Sequence, residues 1–235
     1  AVFVCLMTRP RLLDLFCGAG GAGMGYCRAG FDVVGVDIAP QPDYPFEFHQ
    51  ADAMTFPLDG FDVIHASPPC QAFTTLRVMH NARSHADLLT PVREHLREWG
   101  GLYVIENVPG SPMQGAIQLC GTSFNLGLNV YDGWRELRRH RWFESNTFLF
   151  GAPCKHEGAT VGIYGDHARD RRRKPGVHAC IDFPDVDRIN IGRTAMGMPW
   201  VTVWRGLSQA IPPAYTEYIG AQLLQALIFD TTAAS

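Results

Sequence analysis

The sequence has no uninterrupted apolar run of about 18 residues, the minimum for a helix crossing a bilayer, so no membrane span is expected. The N-terminal AVFVCLM is apolar but too short for the hydrophobic part of a secretion signal, and no basic stretch precedes it. Met7, ahead of TRPRLLDLF, reads as a natural start, with six residues upstream of it. The chain also lacks an even set of cysteines. Its seven are scattered, several of them in apolar or Gly-rich segments. That speaks against a disulfide framework and for reduced thiols in a cytoplasmic protein. No internal repeat is present, which excludes solenoids and propellers. Nor is there an overall excess of positive charge, since the net formal charge is −3.

What charge there is falls unevenly. Gly133 to Arg193 holds 12 Lys and Arg against 8 Asp and Glu, a local balance of +4, and the rest of the chain carries −7. A basic segment on an acidic body suggests one surface that faces a polyanion, the alternative being a solvated face. The 235 residues, 46% of them hydrophobic, suit one full-sized domain, or one domain with a small appendage.

In the first half, Leu12–Phe16, Val33–Asp37, Phe61–Ala66 and Leu102–Glu106 read as buried strands, each bounded by Gly, Pro or Asp. Gly21–Ala29 and His85–Trp99 have helical spacing. Such alternation predicts an α/β fold: a mostly parallel, twisted sheet with helices on both faces. From Glu144 to Ile191 the pattern breaks into Gly, His, Arg, Asp and Pro with short apolar runs. This reads as a small irregular insert, 144–191, between two parts of one domain, 7–143 and 192–230. Pro213–Phe229 is a long helix docked back on the sheet, its start set by Ile211-Pro212-Pro213.

Two segments carry chemistry. Asp14-Leu-Phe-Cys-Gly-Ala-Gly-Gly follows a strand and opens a helix, where glycines let backbone approach a ligand and free N–H groups meet negative charge. Taken alone it could be a tight structural turn. Asp37, an acid at the end of the next strand about 20 residues on, favours a nucleotide or nucleoside whose ribose it would bind. Asp52, in Gln-Ala-Asp-Ala-Met, could accept from an adenine amino group. The second segment is Ala66-Ser-Pro-Pro-Cys-Gln-Ala-Phe-Thr. It puts Cys70 on a stiff turn at the carboxyl end of a strand, the edge where open α/β sheets build their sites. Cys5 and Cys27 read as buried structural thiols.

Residues 14–31, 67–74 and 106–108 together resemble the cytosine-5 DNA methyltransferase family: DLFCGAGG, then SPPCQAF, then ENV, in the family's order. Arg139-His-Arg-Trp-Phe is similar to the family's R-x-R-x-F/Y motif. RTAMGMPW…GLSQAIPPAYTEYIG, within 193–220, is similar to its two C-terminal motifs, with wording like that of compact phage and prophage members. The resemblance spans nearly the whole chain except 144–191. It implies a Rossmann-like, S-adenosylmethionine-dependent fold in which the insert recognises the target.

On that resemblance Cys70 adds to C6 of cytosine and makes C5 nucleophilic enough to take a methyl group, a case of covalent catalysis by a thiolate. Glu106 handles cytosine N3, Arg141 contacts O2, and Arg139 helps hold the flipped nucleotide. The cofactor contacts fall on Phe16, Gly18, Gly20, Gly21, Asp37, Ile38, Asp52 and Pro69. Two positions depart from the family. Ile38 stands where a large aromatic is common, giving a thinner platform for adenine. Gly206-Leu207-Ser208 stands where Gly-Asn-Ser/Ala is usual, so Ser208 and backbone groups take over near the methionine carboxylate. Since the target base is inaccessible in a duplex, it must be flipped out. The polar stretch after the nucleophile, with Gln71, Thr74 and Arg77, corresponds to the family's loop that closes over DNA.

Within the insert, Arg169-Asp-Arg-Arg-Arg-Lys174 reads as a loop contacting phosphates through Arg171, Arg172 and Arg173. Cys154-x-His156 and His178-x-Cys180 form a symmetric set of metal-ligand types. One-residue spacing is unusual for structural zinc, and no metal is expected. Two other functions compete: an RNA cytosine-5 methyltransferase on the same fold, and a non-catalytic DNA-binding relative. The family's RNA branch carries Cys-Phe-Thr after ENV, whereas PGSPMQGA follows here. Joint retention of Cys70, Glu106, Arg139 and Arg141 opposes a non-catalytic role. DNA is the expected partner; no obligate protein partner is indicated, and a restriction endonuclease counterpart stays open.

Overall fold

A computed structural model describes residues 9–69, 87–130, 133–165, 167–174, 177–182 and 187–233, with the backbone alone for 167–174, 177–182 and 230–233. Its strands are β1 (Arg11–Leu15), β2 (Asp32–Asp37), β3 (Glu47–Gln50), β4 (Val63–Ala66), β5 (Leu102–Asn107), β6 (Ile117–Leu119), β7 (Gly127–Val130), β8 (Gly133–Leu137), β9 (Arg141–Ser145), β10 (Thr160–Tyr164), β11 (His167–Lys174) and β12 (Val177–Asp182). The helices are α1 (Gly21–Ala29), α2 (Leu89–Trp99), α3 (Arg188–Met196), α4 (Trp204–Gln209) and α5 (Pro213–Ala233). None of the described helices is long and apolar enough to cross a membrane.

Seven strands form one sheet in the order β3-β2-β1-β4-β5-β9-β6. The first five run parallel, β9 runs antiparallel to β5, and β6 antiparallel to β9. Strand pleating explains why nearly unbroken apolar runs were needed. Successive side chains point to opposite faces, and a parallel sheet is covered on both. Leu12, Val33, Val63 and Val104 pack under α1 and α5 with Tyr26, Tyr215, Ile219 and Leu223. Their neighbours Leu13, Val34, Ile64 and Ile105 pack on the other face with Leu89, Val92 and Leu96 of α2.

The two helices on the first face approach closely because α1 is rich in glycine. A Cβ on Gly25 would sit 2.0 Å from Thr216 Oγ1, and one on Gly21 would sit 2.1 Å from the Ile211 carbonyl oxygen. Thr216 uses the gap to donate to the Ala22 carbonyl at 2.8 Å.

Part of the segment read as irregular, 144–191, forms strands instead. β10, β11 and β12 belong to a five-stranded sheet ordered β12-β11-β10-β8-β7, and β7 and β8 precede residue 144. Its short apolar runs supply one packed layer: Leu128, Leu137, Val161 and Ile163 meet Ile191, Met196, Trp204 and Leu207 of α3 and α4. The basic run 169–174 lies within β11, paired antiparallel with β10 and β12, so it is a strand and not the loop expected from its polarity.

Candidate functional site

The turn after β1 enters a backbone region that L residues avoid. Phe16 has φ 59°, Gly18 has φ 49° and Gly20 has φ 79°. A non-glycine residue at positive φ is costly, and such strain collects at sites that use it. The turn wraps the end of β2, where Asp37 Oδ2 accepts from the Gly18 N–H at 3.1 Å and Oδ1 from the Ala39 N–H at 2.9 Å. Beside it Ile38 is 73% exposed, a large apolar surface left uncovered at a sheet edge. Asp52 is also exposed, its Oδ1 accepting from the Met54 N–H at 2.9 Å. An acid at the mouth of a glycine turn, an open apolar side chain and a second exposed acid offer a nucleoside hydrogen-bond acceptors and an apolar surface. These residues fit S-adenosylmethionine.

The second half of the site lies at the carboxyl ends of β4 and β5. The pairing of Glu106 with Phe143 puts Glu106 and Arg141 on the same face of β5 and β9. Arg141 Nε sits 2.8 Å from Glu106 Oε1. The contact has ion-pair distance without hydrogen-bond alignment, and Oε1 keeps an unspent lone pair in a buried setting. Burial raises the Glu106 carboxyl above its ordinary range, opposed by Arg141, a hydrogen bond from Ser67 and Arg139.

Ser67 ends a buried chain of polar groups. Tyr26 Oη lies 3.0 Å from His65 Nδ1, and His65 Nε2 lies 2.8 Å from Ser67 Oγ. Burial lowers His65 to about 3, so its ring is neutral and carries a single proton. If Ser67 donates to the carboxylate, its oxygen must accept from His65 Nε2–H, and Nδ1 must accept from Tyr26. All three donors then point toward Glu106 and favour its anion, against the burial that favours the acid.

Arg139 is buried and links the second sheet to α4. It donates to the Ile163 carbonyl in the second sheet and to the Ser208 carbonyl in α4, each at 2.7 Å. Its Nε is buried without a partner. Burial, with Arg141 next to it, lowers its guanidinium to about 9. Tyr215 of α5 donates to the Arg139 carbonyl at 2.5 Å, fixing the backbone between the two arginines.

One further contact ties the ends of β4 and β5 together. Asn107 Nδ2 donates to the Pro68 carbonyl at 3.0 Å, so the Ser67-Pro68-Pro69 turn is tied to the strand that carries Glu106.

Solved structures with the same layers come from methyltransferases. An E. coli prophage protein described as a DNA modification methyltransferase superposes with a TM-score of 0.62 at 14% identity, over 93% of this chain and 99% of that one. An Entamoeba histolytica methyltransferase, EhMeth, gives 0.54 at 13% identity, over 95% and 99%. S. pombe Dnmt2 methyltransferase gives 0.53 at 16% identity, over 93% and 99%. The chain has the fold of these methyltransferases. No protein-family model and no curated protein matches the sequence.

The structure thus brings Glu106, Arg139 and Arg141 together, and gathers Phe16, Gly18, Asp37 and Ile38 around one turn. Gly20 meets Pro45 and Tyr44, which a Cβ would strike at 2.6 and 3.0 Å, and Gly21 is taken up by packing on Ile211. Pro69 is exposed beside the tied turn. Ser208 faces the site through its carbonyl, which Arg139 engages, while its hydroxyl donates to the Arg205 carbonyl at 3.4 Å. Cys70, Gln71, Thr74 and Arg77, and the side chains of Arg171, Arg172, Arg173, His178 and Cys180, lie outside the described residues.

Three residues of this region went unassigned in the sequence: His65, Ser67 and Asp14. Asp14 is fully buried under α1 with Oδ1 unpartnered, and burial raises it to about 7 despite a hydrogen bond from Tyr44. A carboxylate inside an otherwise apolar strand was the available signal for Asp14, and a histidine amid apolar neighbours for His65.

Proposed function

We propose that this protein is a DNA cytosine-5 methyltransferase that uses S-adenosylmethionine as methyl donor and Cys70 as a transient covalent nucleophile. The observation that carries the reading is the Asn107–Pro68 bond. It holds the turn leading to residue 70 beside Glu106, with Arg141 at 2.8 Å and Arg139 behind it. A carboxyl with a raised affinity for protons and two guanidinium groups, beside the turn that precedes Cys70 in the chain, suit the activation of a pyrimidine ring.

In this reading Asp37 accepts from the ribose hydroxyls, Asp52 accepts from the adenine amino group, and Ile38 lies under the ring. The bound cofactor supplies an activated methyl group. The Cys70 thiolate forms a bond to C6 of the flipped cytosine, and electron density moves toward C5 and N3. Glu106, held in a buried site that favours its protonated form, gives a proton or a hydrogen bond to N3 as that charge builds up. Arg141 donates to O2 and keeps the ring in register. Loss of the C5 proton to a base and departure of Cys70 restore the ring. Arg139 acts through its neighbours: bonded to Ile163 and Ser208, it fixes the backbone from which Arg141 projects.

The reading is tested by incubating the protein with isotopically labelled S-adenosylmethionine and either duplex DNA or RNA, then digesting the product to nucleosides. Label in 5-methyldeoxycytidine from DNA is expected. Label in adenine, in N4-methylcytosine or in RNA alone would contradict it.

A further inference from the structure

Four side chains of metal-ligand type converge where the two sheets meet, away from the glycine turn. They are Cys120, at the end of β6, His140, between β8 and β9, and Cys154 and His156, in the segment between β9 and β10. One ligand atom from each lies within 4.8 Å of all the others. Cys120 Sγ is 3.4 Å from His156 Nε2, and Cys154 Sγ is 3.5 Å from His140 Nε2. Tetrahedral zinc with Zn–S of about 2.3 Å and Zn–N of about 2.0–2.1 Å places sulfur and nitrogen about 3.5–3.6 Å apart along each edge. Two of the four sulfur–nitrogen edges of this cluster, at 3.4 and 3.5 Å, come close to that length.

We propose that these four residues bind one zinc ion as a closed Cys2His2 structural site. In the sequence, His178 and Cys180 are the matching ligand types for Cys154 and His156, and their one-residue spacing points to no metal. The fold supplies Cys120 and His140 instead, from segments 14 and more residues away, so the one-residue spacing between Cys154 and His156 never has to build the site alone.

The surroundings suit bound thiolates. Thr122 Oγ1 donates to Cys120 Sγ at 3.3 Å, and Gln118 Nε2 donates to Cys154 Sγ at 3.7 Å. Gln118 is itself held by Trp142 Nε1, which donates to its Oε1 at 3.0 Å. Donors placed behind the ligands hold and tune a metal site. Two thiolates and two neutral imidazoles balance the charge of a divalent zinc ion, so the cluster can close without another counter-ion. The His140 and His156 rings are 5.1 Å apart at 65°, splayed as two imidazoles are when they point at one centre. Four protein ligands leave no open position, so the ion has a structural role. It fastens the segment leading into β10 to the root of the seven-stranded sheet, at the residue that separates Arg139 from Arg141.

The test is the metal content of the full-length protein after equilibration with Zn2+ and removal of the excess. One zinc per chain is expected by mass spectrometry of the digested protein. Co2+ in place of Zn2+ is expected to give the intense visible bands of a tetrahedral ion, with sulfur-to-cobalt charge transfer in the near ultraviolet. Cys154→Ser and His156→Ala should each lose the bound ion or weaken it at least tenfold, and Cys27→Ser should keep it. The stoichiometry and the cobalt spectrum are read on the unaltered protein, so a variant that fails to fold does not cloud the result. Substoichiometric zinc without a tetrahedral cobalt spectrum would overturn the proposal. So would a Cys120–Cys154 disulfide found in place of the metal.

Discussion

Asn107 holds Pro68. Its Nδ2 donates to the Pro68 carbonyl at 3.0 Å while its Oδ1 accepts from the Val108 N–H at 2.9 Å, so one buried side chain fixes the turn after β4 and the turn after β5. Asn107→Ala leaves the carbonyl without its donor, which typically costs about 1–3 kcal/mol. The expected result is a lower kcat with an unchanged Kd for S-adenosylmethionine, since the glycine turn is not touched. Calorimetric titration beside initial-rate measurements checks this, and a weakened cofactor with normal kcat would be the opposite result.

Asp37 accepts from Gly18 and Ala39, and in the proposed function it also accepts from the ribose of the cofactor. Asp37→Ala is expected to raise the Kd for S-adenosylmethionine roughly tenfold or more, the equivalent of one charge-assisted hydrogen bond of about 1.5–3 kcal/mol. Asp37→Asn, which keeps one oxygen for the turn, should fall between the two. Equal affinity for all three proteins would move the ribose site elsewhere.

Asp14 makes the stability of the fold depend on pH. Its carboxyl is raised from 3.8 to about 7 in the folded protein, chiefly by burial. The folded state therefore binds the proton more tightly than the unfolded chain. Its contribution to stability is fully present below about pH 4 and is lost as pH rises toward 7. Three pKa units at 1.36 kcal/mol each set an upper limit of ~4 kcal/mol. Asp14→Asn keeps the shape and removes the titration. Its thermal midpoint should exceed that of the unaltered protein at pH 8 and converge with it near pH 4. Parallel midpoint-against-pH curves would contradict this.

The parallel half of the fold was legible because its strands are buried on both faces, which forces apolar runs such as Leu12, Leu13 and Leu15 or Val33, Val34 and Val36. β3 was not, since Glu47, Phe48, His49 and Gln50 lie at an open edge and bury little. The second sheet was missed because its pairing is set by partners far apart in sequence, as when β10 lies beside β8. Of the candidate site, Glu106, Arg141 and Asp37 were legible from their motifs. The His65–Ser67 relay and the Cys120–His140 pair were not, because each depends on contacts between separate elements.

The basic run of β11 lies on a paired strand. Phosphate contacts add affinity without sequence information. Replacing Arg171, Arg172 and Arg173 with glutamine is therefore expected to weaken binding to target and scrambled duplexes alike. The log–log salt slope should fall by about 0.9 for each lost contact. Binding of both duplexes measured over a range of salt decides the point. A loss confined to the target duplex would indicate base reading instead.

A duplex carrying 5-fluorocytosine reports on the covalent bond proposed between Cys70 and cytosine C6. Fluorine at C5 cannot leave as a proton does, so the enzyme stays attached after the methyl group has moved. With S-adenosylmethionine present, the unaltered protein should form an adduct that survives denaturing electrophoresis, and peptide mapping should place it on Cys70. Cys70→Ser should form none while keeping its thermal midpoint. An adduct in Cys70→Ser, or none from a protein that methylates ordinary cytosine at C5, would contradict the account.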